Sequence, residues 1–234
     1  VLPLHLRVTR DGEQSVTADA LVPRRMWARP KIRSGDAGLD ALAATWLPWQ
    51  IVSVRLFGRC GYYQPGGAYG FRDQLQDSLA PLYFEPSLTR RQIIRCACHQ
   101  YSEGDVMHWW HQKRTGPVGV RTRCSDDYLW LPYVTALYVE HTGDESVLSL
   151  SLPYVESDKL KDWELERCET PSFTKRKESL YLHCVRAIEL ALSRIGDRGL
   201  PLIGTGDWND GMNMIGAEGK GESVWLGFFL CTVL

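Results

Sequence analysis

Apolar residues recur at helical spacing over residues 39–57, through Leu39, Leu42, Ala43, Trp46 and Leu47, with Pro48 placed to interrupt or kink the segment. A glycine-rich loop covers residues 58–70, and a helix is expected to start at Phe71 and reach about Tyr83. Ser87 can cap the next helix, over residues 88–100, which buries Ile93, Ile94 and Ala97. Ser125 or Asp126 can cap another, running through Leu129, Tyr133, Ala136 and Leu137 to the neighbourhood of Gly143. The clearest amphipathic pattern spans residues 177–195, with Leu180, Cys184, Ile188, Ala191 and Ile195 on one face before Gly196. A last apolar helix occupies residues 224–230.

Between these segments lie polar stretches with little periodicity. Residues 1–38 read as an extended lead-in or linker, with Arg24, Arg25, Arg29, Lys31 and Arg33 near Pro23 and Pro30. Residues 103–119 read as a loop rich in Trp, His and Gly, and residues 151–172, with Pro153 and Pro171, as an excursion loop. The rhythm is helix, long loop, helix, without βαβ alternation, so the pattern predicts an all-α fold of helical hairpins around a common axis. Function is expected in the long loops.

Composition adds limits. The chain has 234 residues, 44% of them apolar, and a net charge of −1, which supplies a core and gives no general attraction for nucleic acid or an anionic membrane. No apolar run approaches the ~20 residues that span a bilayer. The first residues lack the basic-then-apolar order of a signal peptide. Seven cysteines, odd in number and without a CxxC pair, suit a reduced compartment with mostly buried thiols. The absence of an initial Met and the stop at Leu234, inside an apolar helix, read as a portion of a longer chain.

Four segments carry candidate chemistry. Residues 199–213 (GLPLIGTGDWNDGMN) crowd Asp207, Asn209 and Asp210 around Trp208. An acid beside an indole can have its pKa raised by desolvation, as a general acid requires, although the same residues could form an Asx-turn loop whose acids only bond the backbone. In residues 62–77 (YYQPGGAYGFRDQLQD), Asp73 and Asp77 share a helical face. Arg72 with Asp77 could grip vicinal hydroxyls, or these acids could simply offset a helix dipole. Residues 104–111 (GDVMHWWH) offer Trp109 and Trp110 as walls of a sugar cleft. A zinc set built from His108, His111, Cys96, Cys98 and His99 is set aside, because its spacing matches no structural-zinc pattern. In residues 119–132 (GVRTRCSDDYLWLP), Arg121 and Arg123 point to one side if extended and could hold a carboxylate or phosphate. Asp126 and Asp127 open the following helix, Asp127 chiefly as a cap.

Together, residues 66–77, 108–111, 125–133, 199–213 and 219–227 resemble, in order, the motifs of glycoside hydrolase family 94. The resemblance is greatest to the phosphorylase domains of cyclic β-1,2-glucan synthases, with the 1,2-β-oligoglucan phosphorylases close by. It implies an (α/α)6 barrel, here an incomplete portion of one over residues 39–234. It implies Asp210 as general acid, with Trp208, Arg72 and Asp77 around the non-reducing glucose; Asp73, Trp109, Arg121 and Asp126 complete the candidate substrate-binding set. Met214 stands where a basic residue is expected.

The implied reaction is inverting phosphorolysis: β-1,2-glucan and phosphate give α-glucose 1-phosphate and a shortened glucan. The partners are then a β-glucan oligosaccharide and inorganic phosphate as co-substrate, with no cofactor and no metal. The residues that bind phosphate are expected downstream of residues 207–210, beyond Leu234, so this chain alone could lack turnover. A cytoplasmic location is expected, at the inner face of a bacterial inner membrane, with membrane contact only through other parts of a parent protein. Two other readings stand beside this one: an inverting hydrolase with Asp73, Asp126 or Glu103 as base, and a glucan-binding module that measures chain length.

Overall fold

The computed structural model describes residues 30–60 and 66–234, together with the backbone of residues 7–8 and 16–17. Strands β1 (Arg7–Val8) and β2 (Val16–Thr17) pair antiparallel. Arg24, Arg25 and Arg29 of the expected lead-in, and residues 62–65 of the second motif, lie outside the described residues, whereas Lys31 and Arg33 are exposed.

Helix α1, residues 37–58, starts at Asp36, whose carboxylate accepts from the Gly38 and Leu39 amides. Its turns alternate between α (Ala37–Ala41, Leu47–Trp49) and π (Leu42–Trp46, Gln50–Gly58). Pro48 supplies the reason for the first widening, because its ring would meet the carbonyl of the preceding turn in a tight α-helix. Val52 and Leu56 pack against Leu88 in a small cluster apart from the main core. Strand β3 (Tyr69–Gly70) leads directly into helix α2 (Phe71–Asp77). This helix stops earlier than its apolar pattern suggests, at Ser78, and a 3-10 turn follows at Pro81–Tyr83.

Helix α3 (Pro86–Ala97) begins with proline at its first position, where a missing amide hydrogen costs no helical bond. The expected cap at Ser87 is not made: Glu85 is the cap position, and the Ser87 hydroxyl bonds the Glu85 carboxylate instead. Helix α4 (Trp130–Thr142) ends at Gly143, which takes φ 70, a conformation favourable only for glycine. Helix α5 (Leu180–Leu192) is capped by Ser179, and Leu180, Cys184, Ala187 and Ala191 are buried on one face, whereas Ile195 lies beyond the helix and is exposed. Helix α6 (Val224–Val233) lays Phe229 against Trp130 (4.8 Å between ring centres) and Tyr133 (5.4 Å). Phe71, Leu75, Ile93, Leu131, Val134 and Leu180 join these helices in one core.

The all-α expectation is overturned. Strands β4 (Met107–Lys113) and β5 (Gly116–Thr122) form a hairpin in the segment read as a Trp- and His-rich loop. Together with β3 and β7 (Glu166–Glu169) they make an antiparallel sheet in the order β3-β4-β5-β7. Strands β6 (Ser151–Glu156) and β8 (Ser172–Ser179) form a second sheet from the segment read as an excursion loop and from the expected start of helix α5. The protein is therefore mixed α/β, not an all-α portion of an (α/α)6 barrel.

The physical cause is visible in the strands themselves. A bulge between Met107 and Trp109 shifts the register of β4, so its buried residues do not alternate strictly. Strand β8 is mostly exposed and charged, which removes any apolar period. In β4, Trp110 is fully buried, stacked between Tyr69 (5.4 Å) and His99 (4.1 Å), while Trp109 faces outward. Only one of the two tryptophans can thus wall a cleft, because neighbouring residues of a strand face opposite sides. Gly119 sits opposite Trp110, where a Cβ would overlap the Trp109 carbonyl and the Trp110 backbone.

Candidate active site

The loop of residues 199–213 is fixed at both ends. Gly204 takes φ 60, and a Cβ there would overlap the Arg123 carbonyl, so glycine lets the loop lie against the end of β5. The Gly206 carbonyl accepts from the Ser125 amide (2.9 Å) and hydroxyl (3.0 Å). Asp207 is buried. Its Oδ1 accepts from the Asn209 amide at 2.9 Å, and its Oδ2 accepts from the Ser223 hydroxyl at 2.6 Å. Ser223 also caps α6 by accepting from the Leu226 amide at 3.0 Å. One hydroxyl therefore ties the loop to a helix start. Ser223→Ala is expected to lower the unfolding free energy by about 1–2 kcal/mol, measured by urea denaturation, since both a cap and a carboxylate partner are lost.

Asp210 follows at the start of a 3-10 turn, Asp210–Met212, with its side chain 58% exposed. It borders a cavity of about 300 Å³, at the lower end of ligand-pocket sizes of roughly 300–1,000 Å³. Arg72, Asp73, His108, Trp109 and Asp127 line the same cavity. Trp208 is half exposed and donates its indole N–H to Gln76 at 3.3 Å, which ties the loop to α2. Met214 is exposed.

Arg72 is the centre of this arrangement. Its Nη2 lies 2.7 Å from Asp210, its Nη1 donates to the Asp207 carbonyl at 3.1 Å, and Asp126 is reached at 3.3 and 3.5 Å. Its Nε is 3.8 Å from Asp73. Burial alone would weaken the guanidinium's hold on its proton, but Asp126, Asp127 and Asp210 outweigh it, so Arg72 stays firmly charged. The short contact to Asp210 is its strongest charge-assisted bond. Asp126 is fully buried and accepts as well from the Trp130 indole (3.1 Å) and the Cys124 thiol (3.3 Å). Burial, reinforced by Asp127, pushes its carboxyl upward against the pull of Arg72. Asp126 thus makes no side-chain cap: its carboxylate is spent on Arg72.

The structure does not bring every candidate to this cavity. Asp77 pairs with Arg55 at 2.8 Å, fastening α2 to α1, and burial raises its carboxyl to about 6 despite that arginine. Arg121 is buried, bonded by Asp105 at 2.7 and 2.8 Å, and stacked 3.7 Å over the Tyr101 ring. Arg121, Arg123 and Glu103 line a different cavity, so none of them meets Asp210 there. Of the seven thiols, Cys96, Cys124 and Cys184 are buried, while Cys168 and Cys231 are exposed.

Sequence reasoning passed over a pair that the structure places in the cavity wall. His108 Nδ1 lies 2.6 Å from Asp127 Oδ2. The Asp127 carboxylate raises the imidazole to about 9, against the opposing effect of burial. The spacing of 19 residues carries no periodic signal; only the pairing of β4 with β5 returns His108 to the start of α4. Cys124 brings its sulfur within 4.8 Å of the same two groups, a possible three-ligand cluster. Burial pushes that thiol well up from its ordinary value. A raised histidine stabilises the fold fully below its unfolded pKa of about 6.5, and that contribution is lost as pH rises through about 9. Urea midpoints are therefore expected to fall between pH 6.5 and 9.5, and to fall less in His108→Gln.

Comparison with known proteins agrees in one direction. The family model described as "Glycosyl hydrolase 94 superfamily, catalytic domain" matches residues 25–234. The cyclic beta-(1,2)-glucan synthase NdvB of Rhizobium meliloti is 43% identical over 204 residues, which are 87% of this chain and 7% of that protein. Solabiose phosphorylase of Paenibacillus borealis is 31% identical over 81% of this chain and 21% of its own length. The 1,2-beta-oligoglucan phosphorylase of Listeria innocua is 26% identical over 68% of this chain and 14% of its own. The chain thus spans a quarter or less of these three relatives.

Proposed function

Because the chain belongs to the glycosyl hydrolase 94 superfamily, we propose that it forms the acid-bearing part of an inverting phosphorylase that acts on β-1,2-linked glucan. One observation carries this reading. Asp210 is the most exposed of the three acids that line the cavity, with a side chain 58% exposed against 23% for Asp73 and 3% for Asp127, so it is the carboxyl a glycosidic oxygen can reach. A hydrolase needs a second carboxylate to activate water. Phosphate is already a nucleophile and needs none. Of the bases a hydrolase could use, Asp126 is buried and spent on Arg72, and Glu103 lines another cavity.

In the reaction, Asp210 gives its proton to the glycosidic oxygen as the bond to the anomeric carbon breaks. Phosphate forms the new bond from the opposite face, yielding α-glucose 1-phosphate and a glucan one unit shorter. Asp210 is paired with Arg72 at 2.7 Å, and a sugar hydroxyl that engages Arg72 would loosen that pair and leave Asp210 to the glycosidic oxygen. Trp109 lines the cavity and is partly exposed, so it offers a ring face to sugar C–H groups, whereas Trp208 is exposed on the Asp210 loop but does not line the cavity. Inorganic phosphate enters as co-substrate, with no other cofactor.

The β-1,2 linkage and the part in a glucan synthase rest on the similarity to the Rhizobium meliloti synthase, and a place at the inner face of a bacterial inner membrane is proposed from the family resemblance alone. Among the described residues no helix is long and apolar enough to cross a membrane.

The test incubates a full-length protein containing this chain with phosphate and β-1,2-, β-1,3- and β-1,4-glucans and follows products by phosphorus and anomeric proton NMR. The expected result is α-glucose 1-phosphate from the β-1,2 substrate, only with phosphate present. Free glucose released without phosphate would establish a hydrolase instead. Binding without turnover under every condition would establish a glucan-holding module.

A further inference from the structure

His108 and Asp127 line the Asp210 cavity, and the proton transfer described above uses neither. Asp127 opens the 3-10 turn Asp127–Leu129, and its side chain is only 3% exposed. Its Oδ2 is taken by His108, but its Oδ1 is buried and has no hydrogen-bond partner. A buried carboxyl oxygen without a donor is unfavourable, and such an atom in a cavity-lining residue marks a place where a ligand donor belongs. His108 has the complementary vacancy. With Nδ1 fixed by Asp127, the ring is held in place and its Nε2–H remains a donor on a partly exposed side chain.

The charges of the cavity decide what kind of ligand fits. Arg59, Arg72 and His108 stand against Asp73, Asp127 and Asp210. The Arg59 guanidinium is already bonded to the carbonyls of Phe57 and Gly67 and to the Tyr69 hydroxyl. A cavity so balanced gives an anion little advantage and suits a neutral polyol, whose hydroxyls both donate and accept.

We propose that Asp127 and His108 are a hydroxyl-reading pair that sets sugar specificity: Asp127 Oδ1 accepts from one hydroxyl of the bound glucosyl unit, and His108 Nε2 donates to the adjacent hydroxyl oxygen. The pair rests on the reading of this cavity as a sugar site. It acts on binding and orientation, not on the proton delivered by Asp210.

The test titrates the whole chain calorimetrically with sophorose, the β-1,2-linked glucose disaccharide, and with its monodeoxy derivatives on the non-reducing ring. Asp127→Asn is expected to weaken sophorose binding about tenfold, as a charge-assisted bond becomes neutral. One deoxy sugar, lacking the hydroxyl that Asp127 reads, should bind the variant and the wild type equally. His108→Phe is expected to weaken binding by about tenfold or more, and His108→Gln, which keeps a donor, to recover part of it. If every deoxy sugar loses the same factor in variant and wild type, the pair is only structural and the inference fails. A measurement on unaltered protein guards against variants that do not fold: the ¹⁵N imidazole signal of His108 should shift on sophorose binding, and an unmoved signal overturns the inference. Absence of sophorose binding by the wild type would overturn the proposed function and this pair with it. Binding by the wild type with indifferent variants would overturn the pair alone.

Discussion

In a full-length protein containing this chain, Asp210→Asn is expected to lower phosphate-dependent turnover by about 100- to 10,000-fold while leaving sugar affinity within a few-fold. The amide keeps the shape and the contact to Arg72 but has no proton of suitable acidity for the departing oxygen. The side chain is more than half exposed, so the substitution does not empty a core position. Arg72 keeps Asp126 and the Asp207 carbonyl as partners. The deficit should shrink when the leaving group is a nitrophenolate, which departs without protonation. Steady-state rates with phosphate on both kinds of substrate check this. Undiminished turnover of the natural linkage would remove Asp210 from the acid role.

Arg72→Met is the second large effect. It leaves Asp126, fully buried, with no guanidinium beside it. Breaking one side of a buried ion pair typically costs about 3–5 kcal/mol, which for a chain of this size lowers the melting temperature by roughly 6–20 °C. The cost comes from the stranded carboxylate, so Arg72→Met with Asp126→Asn should recover much of the loss, a non-additivity expected of groups in direct contact. The single variant should also be less destabilised at pH 5 than at pH 8, because an unpaired buried carboxyl can take a proton at the lower pH. Differential scanning calorimetry of both variants at the two pH values measures this. Equal melting temperatures for Arg72→Met and the double variant would show that Asp126 does not depend on Arg72.

Arg72 thus serves both stability and the site. It holds the loop of residues 199–213 against α2 through the Asp207 carbonyl, and it holds Asp210 at the cavity. This double use explains why the motifs at residues 66–77, 125–133 and 199–213 can be far apart in the chain and still meet. Residues 72, 126 and 210 share one guanidinium.

Much of the helical part was legible along the chain. Helix α5 has apolar residues on one face and a serine at its cap, both local properties. Helix α4 stops where Gly143 permits a left-handed residue. The chemistry of the loop at residues 207–210 was equally local, since an indole between acids on a glycine-rich turn is visible in a few consecutive residues. The strands were not legible, because a bulge in β4 and the charged face of β8 erase the period of two that would announce them.

By itself, then, the sequence determined where the chain turns, which helix faces seek the core and which loop offers an acid. Those properties depend on neighbours within one or two turns, and periodicity records them. Only the tertiary structure decided that Trp110 belongs to the core while Trp109 faces out, that Asp77 and Arg121 are spent elsewhere, and that His108 stands beside Asp127. These assignments depend on which strand pairs with which and on what charge lies across a fold. A carboxylate is read the same way in the chain whether its partner is water, an arginine or a sugar; its surroundings in space make the difference.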